Sequence, residues 1–323
     1  MTFGKWLLAA TASLAAMHAA AQEFPSKSIT LIVPFAPGGL ADLVGRVLAA
    51  QMEKTLRQPV VVTNRPGAGG AIGASAVARA PADGYTLLIS LTSHVILPEA
   101  DRMQGKVPAY ELAQFQPVAR ITYEPTVLMG AMRPEGSTVE KIVARARAKP
   151  GTVSYSSTGY FANAHVGVDG FAQAAGIQLL HVPYQGGSQA LMAVASGQVD
   201  LSTGGPATAA TFAKSGKVRA LAILGDERLS SMPDVPTLKE LGYDSTYYVW
   251  SGLFAPAGTP PKVMAALRAS VRAAVNDADF QHSLKKMEAT LAYQDASEFD
   301  QFLVQETGRL YAVVRKMSAP ANR

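Results

Sequence analysis

Three short loops in the second half of the chain combine hydroxyl side chains with glycine. Each follows an apolar run typical of a buried strand: Ser156-Ser157-Thr158-Gly159, Tyr184-Gln185-Gly186-Gly187 and Thr203-Gly204-Gly205-Pro206. Small molecules bind to open α/β sheets beyond the carboxyl ends of the strands, where such loops meet. Serine, threonine and glycine also make ordinary turns, but three such loops at one sheet edge favour a ligand site. The ligand-binding candidates in these loops are Ser156, Thr158, Gly159, Tyr184 and Gly204.

The first half has a related loop, Phe35-Ala36-Pro37-Gly38-Gly39, between an apolar run and a helical pattern. Glycine lets a ligand approach the backbone, and the start of the helix directs free N–H groups at an anion. A turn that uses glycine only for its backbone angles explains the motif equally well. Asp42 either orients the loop or caps the helix, and ligand contact is its less favoured role. The candidates from this half are Phe35, Ala36, Pro37, Gly38, Gly39, Asp42 and Thr92.

The histidines after residue 21 are His94, His165, His181 and His282. None of them has a partner at the spacing of a helical metal site, so no metal is expected. His165 follows the Ser/Thr loop, where it either donates a hydrogen bond to a carboxylate or has a structural role at a helix start. His165 is therefore one more ligand-binding candidate.

Enzyme chemistry and nucleotide binding are not indicated. The chain has 0 Cys, which excludes a thiol nucleophile and a zinc–thiolate site. Ser188 lacks the glycine two residues later that a G-x-S-x-G nucleophile elbow requires. The loop Gly67–Gly73 has Ile72 where the G-x-G-x-x-G dinucleotide motif needs glycine, and it follows the second strand instead of the first. We expect no catalytic residue, no cofactor and no enzymatic activity.

The amino terminus has the pattern of an export signal. Lys5 precedes an apolar stretch from Trp6 to Met17, and Ala19-Ala20-Ala21 offers a small-residue cleavage site before Gln22. Residues 1–21 are therefore predicted to be a signal peptide that directs the chain to the periplasm. No other stretch reaches the length of a membrane helix without charges, Gly or Pro. The net charge of the 323 residues is +5 with no long basic run, so nucleic acid is not an expected partner.

Apolar strand patterns alternate with helical patterns in two series, which predicts an α/β fold with two mostly parallel sheets flanked by helices. The series resemble each other: Val33-Pro34-Phe35-Ala36-Pro37-Gly38-Gly39 matches Val182-Pro183-Tyr184-Gln185-Gly186-Gly187. Two lobes built alike would place matching loops on either side of a cleft. The predicted crossings are Val118–Val127 and Arg219–Gly225. Lobe 1 then comprises residues 22–122 and 226–323, and lobe 2 comprises residues 123–225.

A series of ordered motifs resembles the Bug (TctC-like) family, the extracytoplasmic solute-binding receptors of tripartite tricarboxylate transporters. The likeness covers nearly the whole chain after the signal peptide, which makes a chance match implausible. The motifs are Ile32–Gly39 with Asp42 and Arg46, Asn64–Gly70 with Ile72-Gly73, Pro81–Leu88, His181–Tyr184, Gly197–Asp200, Pro233–Thr237, and Trp250–Leu253 with Ala255–Pro260.

The resemblance implies a two-lobed periplasmic binding protein of type II fold, with a small carboxylate in the cleft between the lobes. It implies that loop backbone and ordered waters hold the carboxylate. Ala36–Gly39 would hold one end, and Ser156–Gly159, His165 and Tyr184 would close over the rest. The sequence departs from the family at Leu40-Ala41, where Ser or Thr is usual, so a possible hydroxyl donor is missing beside the first loop. It also departs at Phe161-Ala162-Asn163, which replaces a more glycine- and serine-rich run, and in Pro98–Glu111, so a bulkier or less polar ligand is compatible with it.

A receptor of this kind captures its ligand and performs no chemistry on it. The expected partners are a small organic acid and the membrane permease subunits of a tripartite tricarboxylate transporter, with the chain itself a monomer. The alternative is a periplasmic sensor that binds the same kind of ligand and feeds a two-component signalling system. Both roles fit the same residues.

Overall fold

A computed structural model of the protein describes residues 24–184 and 186–317. The predicted signal peptide and Gln185 lie outside these residues. The strands are β1 Ile29–Val33, β2 Val60–Asn64, β3 Thr86–Leu91, β4 Phe115–Ala131, β5 Ser154–Ser157, β6 Leu180–Pro183, β7 Leu201–Gly204, β8 Val218–Leu224, β9 Tyr248–Pro256 and β10 Leu291–Asp295. The helices are α1 Leu40–Leu56, α2 Ala71–Ala78, α3 Ser93–Met103, α4 Val139–Ala148, α5 Asn163–Ala175, α6 Gly187–Ala195, α7 Pro206–Lys214, α8 Pro261–Val275, α9 Ala278–Lys286 and α10 Ala296–Val314.

Two sheets with the same strand order share strand β4. In the first sheet, β2, β1 and β3 are parallel neighbours, and β9 lies antiparallel between β3 and β4. In the second sheet, β6, β5 and β7 repeat that parallel order beside the C-terminal half of β4. A helix follows each of these six parallel strands. The structure confirms the predicted α/β fold with two similar halves.

Burial explains why the apolar runs form strands and why the helices cover them. Leu31 and Val33 of β1 are completely buried, as expected for a parallel strand with both faces covered. Val44, Leu48 and Met52 of α1 recur every four residues and are also completely buried. The helix therefore packs one apolar face on the sheet, which fixes the position of its first turn at the carboxyl end of β1.

Strand β4 is the predicted first crossing between the halves. Its residues Phe115–Pro125 pair with β9 in the first sheet, and its residues from Thr126 onward pair with β7 and β8 in the second. The chain returns to the first sheet at a later residue than the sequence predicts. Strand β8 pairs with β4 inside the second sheet, and the Tyr247 N–H still donates to the Leu224 carbonyl at 2.9 Å. The second crossing is therefore the start of β9 and not Arg219–Gly225.

The C-terminal helices pack against the first sheet and the helices that cover it, as the sequence predicts. Arg315, just after α10, donates to the Glu99 carboxylate of α3 at 2.7 Å. Trp250 is completely buried, and its ring lies 5.6 Å from that of Phe299 on α10. The aromatic residues of β9 thus belong to the core that joins the tail to the first half of the chain.

Glu124 of β4 is a completely buried carboxyl at the boundary between the two sheets. Its Oε2 accepts the Thr290 N–H at 3.1 Å, whereas Oε1 has no hydrogen-bond partner among the described residues. A Cβ placed on Gly205, before α7, would lie 2.8 Å from Oε1, so the carboxyl fits tightly under that helix. Burial raises the pKa of Glu124 from 4.5 to about 7.

The raised pKa of Glu124 predicts a specific pH dependence of stability. Between pH 4.5 and 7 the folded chain binds more protons here than the unfolded chain, so this group lowers the free energy of unfolding as the pH rises. The full cost above pH 7 is about 3 kcal/mol. Glu124→Gln should therefore raise the melting temperature at pH 8, with a gain that shrinks towards pH 4.5. Thermal melts of both proteins across this range measure the difference.

Glu227→Gln is the matched control, because Glu227 is exposed. Its melting temperature should follow that of the unaltered protein at every pH. A constant difference between Glu124→Gln and the unaltered protein across the whole range would contradict the assignment of a buried, titrating carboxyl.

Candidate functional site

A cavity of about 190 Å³ lies between the two sheets, at the carboxyl ends of their parallel strands. This is the place where open α/β sheets bind ligands. The volume is below the range of about 300–1,000 Å³ that is common for drug-sized ligands, so the cavity suits a small molecule. Its lining comprises Phe35, Ala36, Gly38, Gly39, Leu40, Ala41, Leu91, Thr126, Ser157, Thr158, Asn163, Ala164, Gly187, Ser188, Ala190, Leu191, Ser202, Thr203, Gly204, Gly205, Thr208, Phe212 and Val249.

The cavity wall is uncharged. Among the described residues that line it there is no Arg, Lys, His, Asp or Glu. The wall offers backbone N–H groups, hydroxyl groups and one side-chain amide, together with the apolar side chains of Leu40, Leu91, Leu191, Phe212 and Val249. Such a wall can hold a polar group only through hydrogen bonds and helix ends, and it can hold a hydrocarbon segment by packing.

Four helices begin at the cavity, and the described chain places no side-chain cap on any of them. The residues before their first turns are Gly39 for α1, Ala162 for α5, Gly186 for α6 and Gly205 for α7. Of the other helices, α4, α9 and α10 are capped by Thr138, Asp277 and Asp295, whereas α2, α3 and α8 also begin without a side-chain cap. The first N–H groups of a helix need an acceptor and carry a partial positive charge. The cavity therefore collects unpaired donors that suit an anion.

The hydroxyls of the lining differ in whether a ligand can reach them. Thr126 donates to the Tyr247 carbonyl at 3.1 Å, and Ser202 donates to the Ser156 carbonyl at 3.0 Å. The Thr203 Oγ1 is buried without a hydrogen-bond partner in the described parts of the chain, and it would lie 3.3 Å from a Cβ on Gly167, so it faces α5 instead of the open cavity. Thr158 is partly exposed in the lining, so its hydroxyl can receive a ligand.

Asp42 shapes the first loop without reaching the cavity. Its carboxylate accepts the Gly38 N–H at 2.9 Å and the Asn64 amide at 2.8 Å, and it pairs with Arg46 at 2.8 Å. Burial alone would raise the pKa of Asp42, but the hydrogen bonds from Arg46, Gly38 and Asn64 outweigh it and lower that pKa. Gly38 has φ +85°, a conformation that favours glycine. Of the roles considered from the sequence, the geometry matches loop orientation.

Ser156 and Thr92 lie behind the cavity wall. The Ser156 hydroxyl donates to the Ala190 carbonyl at 2.8 Å, and the Thr92 hydroxyl accepts the Trp250 N–H at 3.0 Å. The wall contains Ser157, which was not among the candidates, since successive side chains of a strand point to opposite faces. The alternation along β5 was the signal that distinguishes the two serines.

His165 and Tyr184 have structural contacts in this structure. The His165 Nδ1 accepts the Phe161 N–H at 2.7 Å, which closes the turn before α5. Burial, followed by the effect of His181, lowers the pKa of His165 to about 3, so its ring is neutral. The Tyr184 N–H donates to the Ser157 carbonyl at 2.8 Å. Neither residue lines the cavity.

The remaining sequence-predicted candidates also divide into residues that line the cavity and residues that do not. Those that line the cavity are Phe35, Ala36, Gly38, Gly39, Thr158 and Gly204. Pro37 and Gly159 lie in the two loops but outside the lining, and the Gly159 N–H donates to the Ser157 hydroxyl at 3.0 Å. Apolar residues of the wall such as Phe212 and Val249 were missed, because they lie far from the glycine loops in the chain and carry no local signal.

The glycine-rich loop Gly67–Gly73 has a packing role. A Cβ on Gly73 would lie 2.8 Å from the Cα of Pro34, and one on Gly159 would lie 3.7 Å from the Gly69 nitrogen. The loop therefore packs closely beside β1 and faces the Ser/Thr loop of the other half. Within the described residues no group of three or more His, Cys, Asp or Glu is placed to hold a metal ion.

Comparison with known proteins identifies the family to which the chain belongs. Residues 44–319 match the tripartite tricarboxylate transporter family receptor, TctC. Protein BugT of Bordetella pertussis is 33% identical over 311 residues, which cover 96% of this chain and 95% of BugT.

Two solved structures are similar over most of their length. MatC from Rhodopseudomonas palustris, solved with bound malate, has a TM-score of 0.83 and 30% identity, covering 90% of this chain and 100% of MatC. A second R. palustris protein, solved with adipate, has a TM-score of 0.82 and 26% identity, covering 91% of this chain and 98% of that one. These matches confirm the family that the sequence motifs indicate. The chain belongs to the tripartite tricarboxylate transporter receptor family, whose members are solute-binding receptors and not enzymes.

Proposed function

We propose that this protein is a periplasmic receptor that binds a small organic acid in the interlobe cavity and delivers it to the permease subunits of a tripartite tricarboxylate-type transporter. The observation that carries the proposal is the uncharged cavity at which four uncapped helix starts meet. The predicted signal peptide supports the periplasmic location. The family to which the chain belongs supports the transport role.

A dicarboxylate fits the distribution of donors in the cavity. Gly39 and the start of α1 present donors from the first half, whereas the Gly38 N–H is engaged by Asp42; Thr158 with the starts of α6 and α7 presents donors from the second half. The apolar side chains of the lining, which include Leu40 and Phe212, suit the methylene groups between two carboxylates. Malate and adipate, found in the two related structures, are acids of this kind with chains of different length.

Hydrogen bonds are strong enough to replace a counter-charge in this cavity. A hydrogen bond to a charged group contributes roughly 1.5–3 kcal/mol. The difference between millimolar and micromolar affinity is about 4.1 kcal/mol, so two or three such bonds bridge it. A favourable helix end adds about 0.3–1 kcal/mol. An uncharged wall is therefore compatible with useful affinity for an anion.

The two halves would close on the ligand as lobes. We place lobe 1 in residues 22–122 with the C-terminal part of the chain, and lobe 2 in residues 123–225 together with the following segment up to β9. The loops of the two lobes come close at the cavity rim, where a Cβ on Gly186 would lie 3.2 Å from that of Ala36. Small residues at this contact would let the lobes approach. The chain is proposed to act as a monomer.

Ligand binding should distinguish charged acids from their neutral analogues. Malate and adipate should raise the melting temperature of the chain from Gln22 onward, after unfolding and refolding to release any carried ligand. At 100 times the dissociation constant the stabilisation is about 2.7 kcal/mol, a shift of a few degrees. The diamides of the same acids are matched neutral controls and should give no shift. An equal shift by a diamide, or recovery of an altered compound, would refute the proposal.

Thr158→Val should weaken binding without weakening the fold. Thr158 lines the cavity and is partly exposed, so the loss of its hydroxyl removes a contact with the ligand and not a contact of the core. The dissociation constant of a bound acid should rise about tenfold to hundredfold, as expected for one hydrogen bond to a charged group. Isothermal titration calorimetry measures the affinity, and a melt of the ligand-free protein measures its stability.

Thr126→Val is the matched control for Thr158→Val. Thr126 also lines the cavity, but its hydroxyl is engaged with the Tyr247 carbonyl. This variant should lower the melting temperature and change the affinity little. Equal losses of affinity in both variants would argue against a specific role of Thr158.

A further inference from the structure

Asn163 supplies the side-chain amide of the cavity wall. It is the first residue of α5, one of the helices that begin at the cavity without a side-chain cap. The residue is partly exposed in the lining, so a molecule in the cavity can reach it. Its Oδ1 accepts the Tyr247 hydroxyl at 3.0 Å, whereas its Nδ2 has no hydrogen-bond partner among the described residues. The amide therefore has one engaged end and one free end.

Tyr247 decides which end of the amide is free. The residue is buried and does not line the cavity. Burial raises the pKa of its hydroxyl, so the group keeps its proton at neutral pH. If the amide were turned over, its N–H would point at the phenol oxygen, and the buried hydroxyl proton would have no acceptor in the described chain. The carbonyl end therefore faces Tyr247, and the NH₂ end remains for the cavity.

The Tyr247 side chain is itself held in place. A Cβ on Gly167, one turn further along α5, would lie 3.3 Å from the Cδ1 of Tyr247, so the ring packs directly on the helix. The Tyr247 N–H donates to the Leu224 carbonyl at 2.9 Å, and its carbonyl accepts the Thr126 N–H at 3.0 Å. Tyr247 directly precedes β9, at the second crossing between the halves. The phenol that holds the amide is thus anchored to the strands that join the two halves.

The free end of the Asn163 amide lies beside the free backbone donors of α5. The first N–H groups of a helix have no acceptor within the helix, and α5 has no side-chain cap. Asn163 and Ala164 both line the cavity. The side-chain NH₂ and these backbone N–H groups therefore come from adjacent residues of one helical turn. Several donors at one place suit the oxygens of a single carboxylate, because hydrogen bonds to an ionised acceptor are stronger than neutral ones.

We propose that Asn163 is a specificity-determining residue whose Nδ2 donates to a carboxylate of the ligand, and that Tyr247 is the positioning residue that keeps this end of the amide towards the cavity. The inference rests on the proposed function of the cavity. A turned amide would present an acceptor oxygen, which repels a carboxylate and suits an ammonium or amide N–H group. A ligand that leaves a polar group unpaired in a site is discriminated against strongly. Tyr247 thereby favours an oxyanion at α5 without touching the ligand.

Asn163→Asp tests the donor with almost no change of shape. The carboxylate still offers an oxygen to the Tyr247 hydroxyl, and a negative charge in the first turn of a helix is favourable. The melting temperature of the ligand-free protein should therefore not fall. Binding of malate and adipate at about pH 7, measured by calorimetry, should weaken at least about a hundredfold, because a donor is lost and like charges repel. Unchanged affinity would overturn the proposal.

Two further variants separate the loss of the donor from the added charge. Asn276→Asp adds the same charge at an exposed position outside the cavity lining and should leave affinity unchanged. Asn163→Ala removes the donor without adding a charge and should weaken binding of both acids about tenfold. A loss of affinity with Asn163→Asp but none with Asn163→Ala would show a nearby charge without a hydrogen bond, and would overturn the proposal.

Tyr247→Phe tests the positioning role. The variant keeps the ring that packs on α5 but frees the amide to turn over, so affinity for both acids should fall about threefold to tenfold. In the Asn163→Ala background the same substitution should cause no further loss, because the amide that the hydroxyl orients is gone. A second loss of the same size would show a merely structural role of Tyr247 and overturn its assignment.

The same titrations separate a failure of this inference from a failure of the proposed function. The expected result is that the unaltered protein binds at least one of the two acids and that Thr158→Val and Asn163→Ala each weaken this binding. If Thr158→Val weakened binding and Asn163→Ala did not, the proposed function would stand and this inference alone would be overturned. If the unaltered protein bound neither acid, the proposed function would fail, and this inference with it.

Discussion

The proposed site depends on one constraint: an anion that leaves water must receive as many hydrogen bonds in the protein as it gives up. In this cavity there is no charged side chain among the described lining residues to do that. The donors come instead from helix starts that keep no side-chain cap, and from lining hydroxyls such as that of Thr158. Bare helix ends cost stability in an empty protein, since their N–H groups lack fixed partners. Because these helix ends surround one small cavity, their N–H groups can bind the same ligand.

The rest of the fold keeps these donors in place. Each parallel strand ends at the cavity and passes into a helix, so burial of strands such as β1 and helices such as α1 also fixes the loops between them. Asp42 ties the first loop to Asn64 on the neighbouring strand. Strand β4 joins the two sheets, and the buried Glu124 lies on it directly beneath the start of α7. The same few elements therefore stabilise the fold and connect the two halves. They also determine the shape of the site.

Local patterns predict the architecture and the loops, whereas contacts between distant residues decide the individual side chains. Apolar runs alternating with helical periodicity identify the α/β fold, and Gly38, Gly39 and Gly204 mark the loops that line the cavity. Ser156 was the predicted candidate, but it lies behind the wall and Ser157 belongs to the wall. Successive side chains of a strand point to opposite faces, so a shift of one residue changes which side chain faces the cavity. Asn163 and Tyr247 form a hydrogen bond although they lie 84 residues apart in the chain, a contact that sequence alone does not give. The return crossing was misplaced because β8 is as apolar as a crossing strand but pairs within the second sheet.

A crystal structure of the mature protein with malate or adipate tests the account most directly. It should place a carboxylate in the cavity, with its oxygens within hydrogen-bond distance of N–H groups at the helix starts and of the Thr158 hydroxyl. No Arg or Lys side chain should contact the ligand. A ligand outside this cavity, or a carboxylate clamped by an arginine such as Arg46, would contradict the claim that helix starts and uncharged side chains alone hold the anion.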